Sequence, residues 1–347
     1  MRAITVLPPH PNSIALQDVA EPPDTDGAVL IQALALGVCG TDREIIAGNY
    51  GTSPPDRKRL ILGHESLGIV RETPPDGDLE PGDHVVGIVR HPDPVPCPAC
   101  ASGQWDMCRN GRYTEHGIKE SNGFGAEFYR MAPEFVVKTD PKLGILGVLL
   151  EPTSVVAKAW DHAERLWRLN DVPPRRLLVT GAGPIGLLAA LLGQQRGFDL
   201  HVYDRNSGGP KRDLVRALGG TYHHGELDIL SKLSPDIVIE CTGASAVIAA
   251  LLSHMATDSL ICLAGVGTSH RDDFNMGLFN RKMVLNNGTV FGTVNANRRH
   301  YALAAESLAH ADRAWLSSLI TRRVPLARFA EAFEHRPGDI KVIIEFT

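Results

Sequence analysis

Hydrophobic positions in the first third of the chain come in short runs that turn signals interrupt. Runs at residues 2–6, 28–36, 66–72 and 84–89 are rich in β-branched and other apolar side chains. Proline- and glycine-rich segments separate these runs. Short strands divided by such turns are typical of a β-rich domain. The pattern therefore predicts a small, mainly β, irregular barrel at this end of the chain.

After residue 150 the pattern changes to alternating helices and strands. A helical stretch runs from residue 151 to about residue 168. Buried strands, alternating with helical stretches, follow at residues 177–180, 200–203, 236–240 and 259–263. This alternation predicts a doubly wound parallel sheet, and the whole chain is assigned to the α/β class. From residue 295 a loop, two helical stretches and a closing strand at residues 340–346 complete the chain.

A glycine-rich turn joins the first of these parallel strands to its helix. Gly181, Gly183 and Gly186 form a GxGxxG motif, with Pro184 and Ile185 between the last two glycines. The glycines permit a tight turn, close approach to a pyrophosphate and close helix packing, and the helix N-terminus favours phosphate charge. Because the motif lies between a strand and a helix, it predicts dinucleotide binding. A tight turn without a ligand is the alternative.

Further cofactor-binding candidates follow the next strands. Asp204 ends the second strand, 18 residues after Gly186, near the spacing of the acid that binds the adenine ribose hydroxyls. Its carboxylate would repel a 2′-phosphate, so NAD is expected in preference to NADP. Arg205 could instead stack on the adenine or pair with that phosphate. Thr242, in the turn after the next strand, is another candidate.

A thiol and an imidazole with flanking glycines mark a candidate catalytic metal site in the β-rich region. Cys39 and His64 suit zinc, which in catalytic sites takes about three protein ligands and keeps one open position. Glu65 and Glu151 could supply the remaining carboxylate ligand. Thr41 lies two residues from Cys39, and its hydroxyl could pass a substrate proton outward. A buried core cysteine and a satisfied histidine are the alternative.

Three further cysteines form a second candidate metal site. Cys97, Cys100 and Cys108 are spaced as in a zinc-binding lobe. His91 or Asp93 could provide a fourth ligand. A loop with three metal-free thiols remains open as the alternative.

Composition and charge narrow the possible partners. The 347 residues suffice for two domains, and a net charge of −5 argues against nucleic acid and offers no basic stripe for a membrane. No membrane-spanning window and no signal-like N-terminal core are expected. Six cysteines in a chain of this size indicate reduced thiols, so the cytoplasm is expected.

The segments 37–42, 62–65 and 82–85 (GVCGTD, LGHE and GDHV) resemble the motifs of the zinc-dependent medium-chain dehydrogenases, most closely the archaeal-type glucose dehydrogenases. The resemblance implies zinc, NAD or NADP, and oxidation of the C1 hydroxyl of an aldose, D-glucose, to the 1,5-lactone. It implies that the C-terminal tail returns to the first domain. Residues 1–155 and 294–347 would then form the catalytic zinc-binding domain, and residues 156–293 the dinucleotide-binding domain. A homodimer or homotetramer is expected.

The resemblance also implies residue roles. Cys39 and His64 would be the firm zinc ligands, with Glu65 and Glu151 as alternates. Glu115 would contact the sugar together with Thr41 and the same two glutamates, and Asn295 would touch both sugar and cofactor. Two positions depart from the family: Pro94 replaces the first of four lobe cysteines, and Val155 replaces an aspartate.

Two other functions remain open at this stage. A related zinc-dependent alcohol, polyol or threonine dehydrogenase would share the metal and the fold. A non-catalytic nucleotide-binding protein would keep the fold without the chemistry.

Overall fold

The computed structural model describes residues 1–168, 171–267 and 274–346. The chain forms two compact units. One combines Met1–Ser154 with Asn295–Thr347, and the other is Val155–Val294. The first unit is therefore discontinuous in sequence.

Strands make up most of the first unit and form the centre of the second. The first segment of the first unit contains β1 (Arg2–Val6), β2 (Ala15–Asp18), β3 (Val29–Val38), β4 (Leu60–Ile61), β5 (Glu65–Glu72), β6 (His84–Gly87), β7 (Arg90–His91), β8 (Thr114–His116), β9 (Glu120–Ser121), β10 (Phe128–Met131) and β11 (Val136–Lys138). The second unit contains β12 (Arg176–Thr180), β13 (Asp199–Tyr203), β14 (Thr221–His223), β15 (Ile237–Glu240), β16 (Leu260–Leu263) and β17 (Thr289–Gly292). The last segment adds β18 (Ile320–Pro325) and β19 (Lys341–Glu345).

Helices connect these strands. They are α1 (Gly40–Ile46), α2 (Pro98–Ala101), α3 (Leu150–Trp167), α4 (Pro184–Gln195), α5 (Pro210–Ala217), α6 (Leu230–Leu233), α7 (Ser245–Ser253), α8 (Met276–Leu285), α9 (Arg298–Ala309), α10 (Arg313–Leu319) and α11 (Ala330–Phe333). Short 3-10 turns, such as Trp105–Met107 and Pro141–Leu149, fill some of the connections.

The main sheet of the first unit brings the two chain segments together. Within the described residues its strand order is β11-β6-β5-β3-β19-β18, and β10 also pairs with β3. The ten-residue β3 lies at the centre, between β5 and β19, and both pairings are antiparallel. The C-terminal strand therefore lies beside the strand that leads into Cys39. Apolar side chains of these strands, such as Ile31, Leu36 and Ile344, form one buried core.

The second unit has a parallel sheet. Its order over the described strands is β14-β13-β12-β15-β16-β17, with every pairing parallel. The strand order reverses direction between β12 and β15, as in a doubly wound nucleotide-binding fold. The predicted α/β class, with a doubly wound parallel sheet and a β-rich unit, is confirmed.

Several elements near the end of the chain were not predicted from the sequence, among them α8, α10 and β18. Helix α8 exposes several of its apolar side chains and so lacks a clean buried stripe. Helix α10 has only seven residues, and its start is set by Asp312, whose Oδ1 accepts the N–H groups of Ala314 and Trp315. Strand β18 carries two arginines that dilute its apolar alternation.

The expectation that no window could span a membrane is wrong by length and composition. Residues 141–167 form a helical segment that is long and apolar enough to cross a bilayer. Most of that window is buried inside the protein, and a core helix of a soluble protein passes the same test.

Candidate active site

Cys39 lies at the junction of a strand and a helix. It follows β3 and forms the N-cap of α1, where its sulfur accepts the backbone N–H of Asp42. Asp42 in turn accepts the backbone N–H of Cys39 through Oδ2 at 2.8 Å. Thr41 Oγ1 lies 3.9 Å from the same sulfur. This reciprocal cap fixes the Cys39 side chain and holds the buried Asp42 carboxylate at the same turn.

His64 and Glu65 lie next to each other at the start of the neighbouring strand. Gly63, with a φ of +96°, makes the turn into β5, and Glu65 pairs with Gly37 of β3. A Cβ at Gly37 would lie 2.0 Å from Glu65 Oε2, so the carboxylate fills the space that glycine leaves. His64 Nδ1 lies 3.3 Å from Asp42 Oδ1. Asp42 thereby orients the imidazole and leaves Nε2 as the ring nitrogen available to a metal.

Opposing influences set the pKa of His64. Complete burial disfavours the imidazolium and acts to lower this pKa, but the charge of Asp42 and its hydrogen bond act to raise it. Cys39 adds to the second effect, and the net pKa lies well above the ordinary histidine value. The site is therefore built to hold positive charge next to the thiol.

The ligand atoms of Cys39, His64 and Glu65 all lie within 4.8 Å of one another. Glu151, in the first turn of α3, is buried beside them. Burial raises the pKa of its carboxyl to about 7, with His64 opposing that rise and Glu65 adding to it. A thiolate, an imidazole and a carboxylate at this separation fit a catalytic zinc.

Lys341 is a part of this site that the sequence analysis missed. Its buried ammonium lies 2.7 Å from Glu65 Oε1, also contacts Oε2, and donates to the backbone oxygen of Val38 at 3.2 Å. Burial opposes the charge of Lys341, but Glu65 and Cys39 favour it, and its net pKa is raised. The residue opens the apolar strand β19, where a single lysine resembles a solvent-facing strand end. Only the pairing of β19 with β3 brings it to the candidate metal ligands.

Glu115, which the resemblance assigns to the sugar, is buried. It lies on β8 directly opposite Arg90 of β7, and Arg90 Nη2 donates to its Oε1 at 2.9 Å. Asn295 Nδ2 donates to the same oxygen at 2.7 Å. The structure thus brings together two residues that lie 180 positions apart in sequence and that the resemblance assigns to the sugar.

The three cysteines of the second candidate site also converge. The sulfurs of Cys97, Cys100 and Cys108 lie within 4.8 Å of one another. The two candidate fourth ligands are engaged elsewhere. Asp93 Oδ2 accepts from Asn110 at 2.8 Å, and the ring of His91 stacks on Phe135 with a centroid separation of 3.8 Å.

The glycine-rich turn in the second unit has the geometry that its motif predicts. Gly181 has a φ of +90° and connects β12 to α4, while Gly183 is the N-cap and Pro184 the first residue of the helix. Ile185 follows in the first turn. A Cβ at Gly186 would lie 1.7 Å from the oxygen of Gly181, whereas a Cβ at Gly183 would meet nothing within 4 Å. The turn is therefore tightly packed at its ends and open where a pyrophosphate would approach.

Asp204 is engaged by the protein itself. Its buried carboxylate accepts the N–H of Ala182 in the glycine-rich turn at 2.8 Å and the N–H of Asn206 at 3.0 Å. Lys211 Nζ lies 3.6 Å from its Oδ2, and Arg205 is exposed beside it. The charge that was expected to repel a 2′-phosphate is thus balanced by a neighbouring cation.

Thr242 lies on a turn that a second buried carboxylate organises. Glu240 Oε1 accepts the Thr242 N–H at 2.7 Å and also bonds the Thr242 hydroxyl, and Glu240 Oε2 accepts the Gly243 N–H at 3.1 Å. The hydrophobic pattern predicts only that Glu240 ends a buried strand and gives it no role. Its signal is a carboxylate at the carboxyl end of a central parallel strand, where ligands bind in such folds.

Comparisons with known proteins cover the whole chain. Residues 25–141 match the model of the alcohol dehydrogenase GroES-like domain, and residues 144–346 match that of the glucose dehydrogenase C-terminus. The chain is 38% identical to glucose 1-dehydrogenase 2 of Vulcanisaeta moutnovskia and 34% identical to glucose 1-dehydrogenase of Methanocella arvoryzae, in each case over 99% of both chains.

A solved structure of Haloferax mediterranei glucose dehydrogenase, in complex with NADP, Zn and gluconolactone, superposes with a TM-score of 0.92. It is 30% identical in sequence, and the match covers 100% of this chain and 99% of that one. Galactitol-1-phosphate dehydrogenase from Escherichia coli, at 22% identity and a TM-score of 0.82, shares the fold alone. With both family models and full-length relatives in agreement, the chain belongs to the glucose dehydrogenase family of zinc-dependent medium-chain dehydrogenases.

Proposed function

We propose that this protein oxidises the C1 hydroxyl of D-glucose to glucono-1,5-lactone with zinc and NADP. The observation that carries the proposal is the convergence of Cys39 and His64 with two buried carboxylates, Glu65 and Glu151, in a chain that matches glucose dehydrogenases from end to end. The Haloferax relative, bound to NADP, Zn and gluconolactone, supports the same cofactor, metal and product class.

Within the first unit, Cys39 and His64 would hold the metal and Glu151 would supply the third protein ligand. Zinc at this position lowers the pKa of a bound hydroxyl and stabilises the negative charge that develops on its oxygen. Glu65 takes a supporting role in this proposal because Lys341 engages both of its oxygens. The Glu65 carboxylate would thus neutralise the positive charge of Lys341 beside the metal ligands.

Thr41 is assigned the acceptance of the substrate proton. Its hydroxyl lies 3.9 Å from Cys39 Sγ and is half-buried, so it can contact both a ligand hydroxyl and water. A hydroxyl in that position can accept one proton while releasing its own outward. Asp42 keeps His64 oriented during this transfer but does not itself contact the substrate.

Glu115 and Asn295 are assigned to the sugar hydroxyls. An apolar pocket would suffice for a simple alcohol, whereas a sugar requires several buried polar groups. The buried position of Glu115 and its direct bond to Asn295 support this assignment.

The second unit is proposed to bind the dinucleotide through its glycine-rich turn, with Thr242 contributing at the neighbouring strand end. NADP supplies the hydride acceptor. We assign the 2′-phosphate to Arg205 and Lys211, because Asp204 is bonded to the protein and paired with Lys211. This reverses the preference for NAD that was inferred from Asp204 alone.

The chain is proposed to form a homo-oligomer in the cytoplasm. Strand β17 is the last strand of its sheet within the described residues, and the nearby α8 exposes Met276, Val284 and Leu285 by more than 60% each. An unpaired strand edge beside exposed apolar side chains favours association. Light scattering should give a dimer or tetramer, and Val284→Asp with Leu285→Asp should reduce its mass. A monomeric wild-type protein would contradict the assembly.

The function is tested by initial rates on glucose, galactose, xylose, sorbitol, threonine and ethanol, each with NAD and NADP. Glucose with NADP should give the largest kcat/KM. A protein that ignores every aldose and oxidises a secondary alcohol or threonine would refute the sugar assignment and favour a related dehydrogenase.

A further inference from the structure

Arg90 is a buried cation that no motif in the sequence singles out. Its Nε and Nη2 donate to Glu115 Oε1 at 3.1 and 2.9 Å, and its Nη1 donates to the backbone oxygen of Asp106 at 3.0 Å. Its guanidinium also lies 3.8 Å from the centroid of the Tyr113 ring. Only 8% of its side chain is exposed. Contacts on three sides leave this guanidinium little freedom to move.

The donors around Glu115 are distributed unequally between its two oxygens. Arg90 contributes two of them and Asn295 the third, and all three reach Oε1. Among the described residues no hydrogen bond reaches Oε2. A carboxylate held in this way keeps its charge through one oxygen and presents the other to a ligand. A sugar hydroxyl is a suitable donor for that oxygen.

The same arginine supports the loop that carries Asn295. Asp106, whose backbone oxygen accepts from Arg90, bonds Asn297 Nδ2 through Oδ1 at 2.7 Å. Asn297 is the N-cap of α9, and Asn295 has a φ of +62°, an unusual conformation for a residue with a side chain. Asn295 therefore bonds to Glu115 and Asn297 to Asp106, and Arg90 binds both of these acidic residues.

We propose that Arg90 is the positioning residue of the sugar site, which sets both the direction of the Glu115 carboxylate and the conformation of Asn295. The inference rests on the proposed function, since it concerns the same substrate. Removing the guanidinium would leave a buried carboxylate without its counter-charge, so that it would take up a proton or turn away. In either case Oε2 would no longer accept a hydroxyl in the same place.

The test compares Arg90→Met and Arg90→Lys with wild type in the zinc-loaded enzyme. We expect Arg90→Met to raise the glucose KM about 10- to 100-fold with a smaller change in kcat, because the lost contacts hold the substrate. Arg90→Lys should raise the glucose KM less than Arg90→Met does. The lysine ammonium restores the positive charge but cannot place several N–H donors in the fixed geometry of a guanidinium. Zinc content and the Kd for NADP should remain unchanged in both variants.

Arg130→Met is the matched control. Arg130 is also a largely buried arginine of the first unit, and its Nη2 lies 2.7 Å from Glu72, but it belongs to neither candidate metal site nor to the sugar site. Its loss should leave the glucose KM unchanged. Because the Glu72 carboxylate is 60% exposed, this control removes a largely buried guanidinium but not a buried ion pair. An equal rise in KM for this variant would show that loss of any largely buried arginine, and not positioning, causes the effect.

A double variant tests whether Arg90 acts through Glu115. Arg90→Met combined with Glu115→Gln should be no worse than the more damaging single change, because both remove the same contact. Independent, multiplying effects would overturn the proposal, as would a wild-type KM in Arg90→Met. If Arg90→Met does not fold, Arg90→Lys carries the test: its KM should rise several-fold, and an unchanged KM overturns the proposal.

Failure of this inference is distinguishable from failure of the proposed function. Glucose oxidation by wild type together with an unaffected Arg90→Met refutes the role of Arg90 alone. If wild type oxidises a different alcohol, the glucose assignment fails, and the KM of the Arg90 variants for that alcohol decides the role of Arg90. An unchanged KM there would overturn it.

Discussion

The β-rich unit buries two carboxylate–cation pairs that are built differently. Lys341 contacts both oxygens of Glu65, whereas Arg90 binds only one oxygen of Glu115. The first pair lies next to Cys39, and the second faces the loop that begins at Asn295. The difference supports the proposal that Glu65 is a fixed charge beside the candidate metal ligands and that Glu115 keeps one oxygen for the substrate.

The largest effect is expected from Lys341→Met. This change leaves the buried Glu65 carboxylate without a cation, which costs about 3–5 kcal/mol of unfolding free energy. Zinc affinity should fall about 10- to 100-fold because the charge beside the ligands is no longer fixed. Urea denaturation and metal analysis measure the two effects.

Lys138→Met is the control for this change. Lys138 lies 2.8 Å from Asp83, but about half of its side chain is exposed, so its loss should hardly alter stability. Equal stability losses in the two variants would contradict the special position of Lys341.

Glu115→Ala should show that the Glu115–Arg90 pair has a different role from the Glu65–Lys341 pair. Loss of a charge-assisted bond to a sugar hydroxyl should lower kcat/KM for glucose about 10- to 100-fold. Zinc content and NADP affinity should stay at wild-type values, in contrast to Lys341→Met. Steady-state kinetics and metal analysis on the same preparation decide the matter, and glucose oxidation at the wild-type rate would make Glu115 a structural carboxylate only.

The pH dependence of stability should also differ between the region around Glu115 and the region around Glu65. His116, next to Glu115, is partly buried, and desolvation lowers its pKa to about 4, while the hydrogen bond with the Asn122 oxygen partly opposes this. The unfolded chain takes up this proton near pH 6.5 and the native protein only near pH 4, so stability is lost as pH falls through that window. In the metal-free protein His64, beside Glu65, has a raised pKa and contributes with the opposite sign.

His116→Asn tests this sign. Unfolding free energies measured from pH 7.5 to 4.5 should fall less steeply for the variant than for wild type. Parallel curves would show that His116 does not titrate as its burial implies.

The smallest effect concerns a third pair, Asp204 and Lys211 in the second unit. At 3.6 Å this contact is longer and less buried than the other two. Lys211→Ala should lower the preference for NADP over NAD by several-fold. Asp204→Ala should weaken both cofactors, because Asp204 also bonds the N–H of Ala182 in the glycine-rich turn. Fluorescence titration with each dinucleotide measures both, and an inverted response would restore the ribose role of Asp204.

A large part of this fold can be predicted from the sequence because its motifs are formed by residues that lie close together in the chain. The glycine spacing from Gly181 to Gly186 defines a strand–turn–helix unit without reference to the rest of the chain. The Cys39 and His64 motifs are informative for the same reason, since each contains the glycines and acids that shape its own turn. The resemblance to a known family then supplied Glu115 and Asn295.

Residues that act through long-range pairing could not be predicted in this way. Lys341 reaches Glu65 only because β19 pairs with β3 across more than 300 residues of sequence. Arg90 meets Glu115 because β7 and β8 pair, and neither strand has a clear periodicity at two to three residues. Lys211, on which the proposed preference for NADP depends, could not be predicted from the sequence, because its distance from Asp204 depends on how α5 packs after the turn.

The most direct test of the proposed zinc-dependent glucose oxidation is product analysis with zinc-loaded and chelator-treated enzyme. We expect glucono-1,5-lactone and NADPH in equal amounts, loss of both after zinc removal, and recovery when zinc is restored. Full activity in zinc-free protein, or zinc-loaded protein that forms neither product, would contradict it.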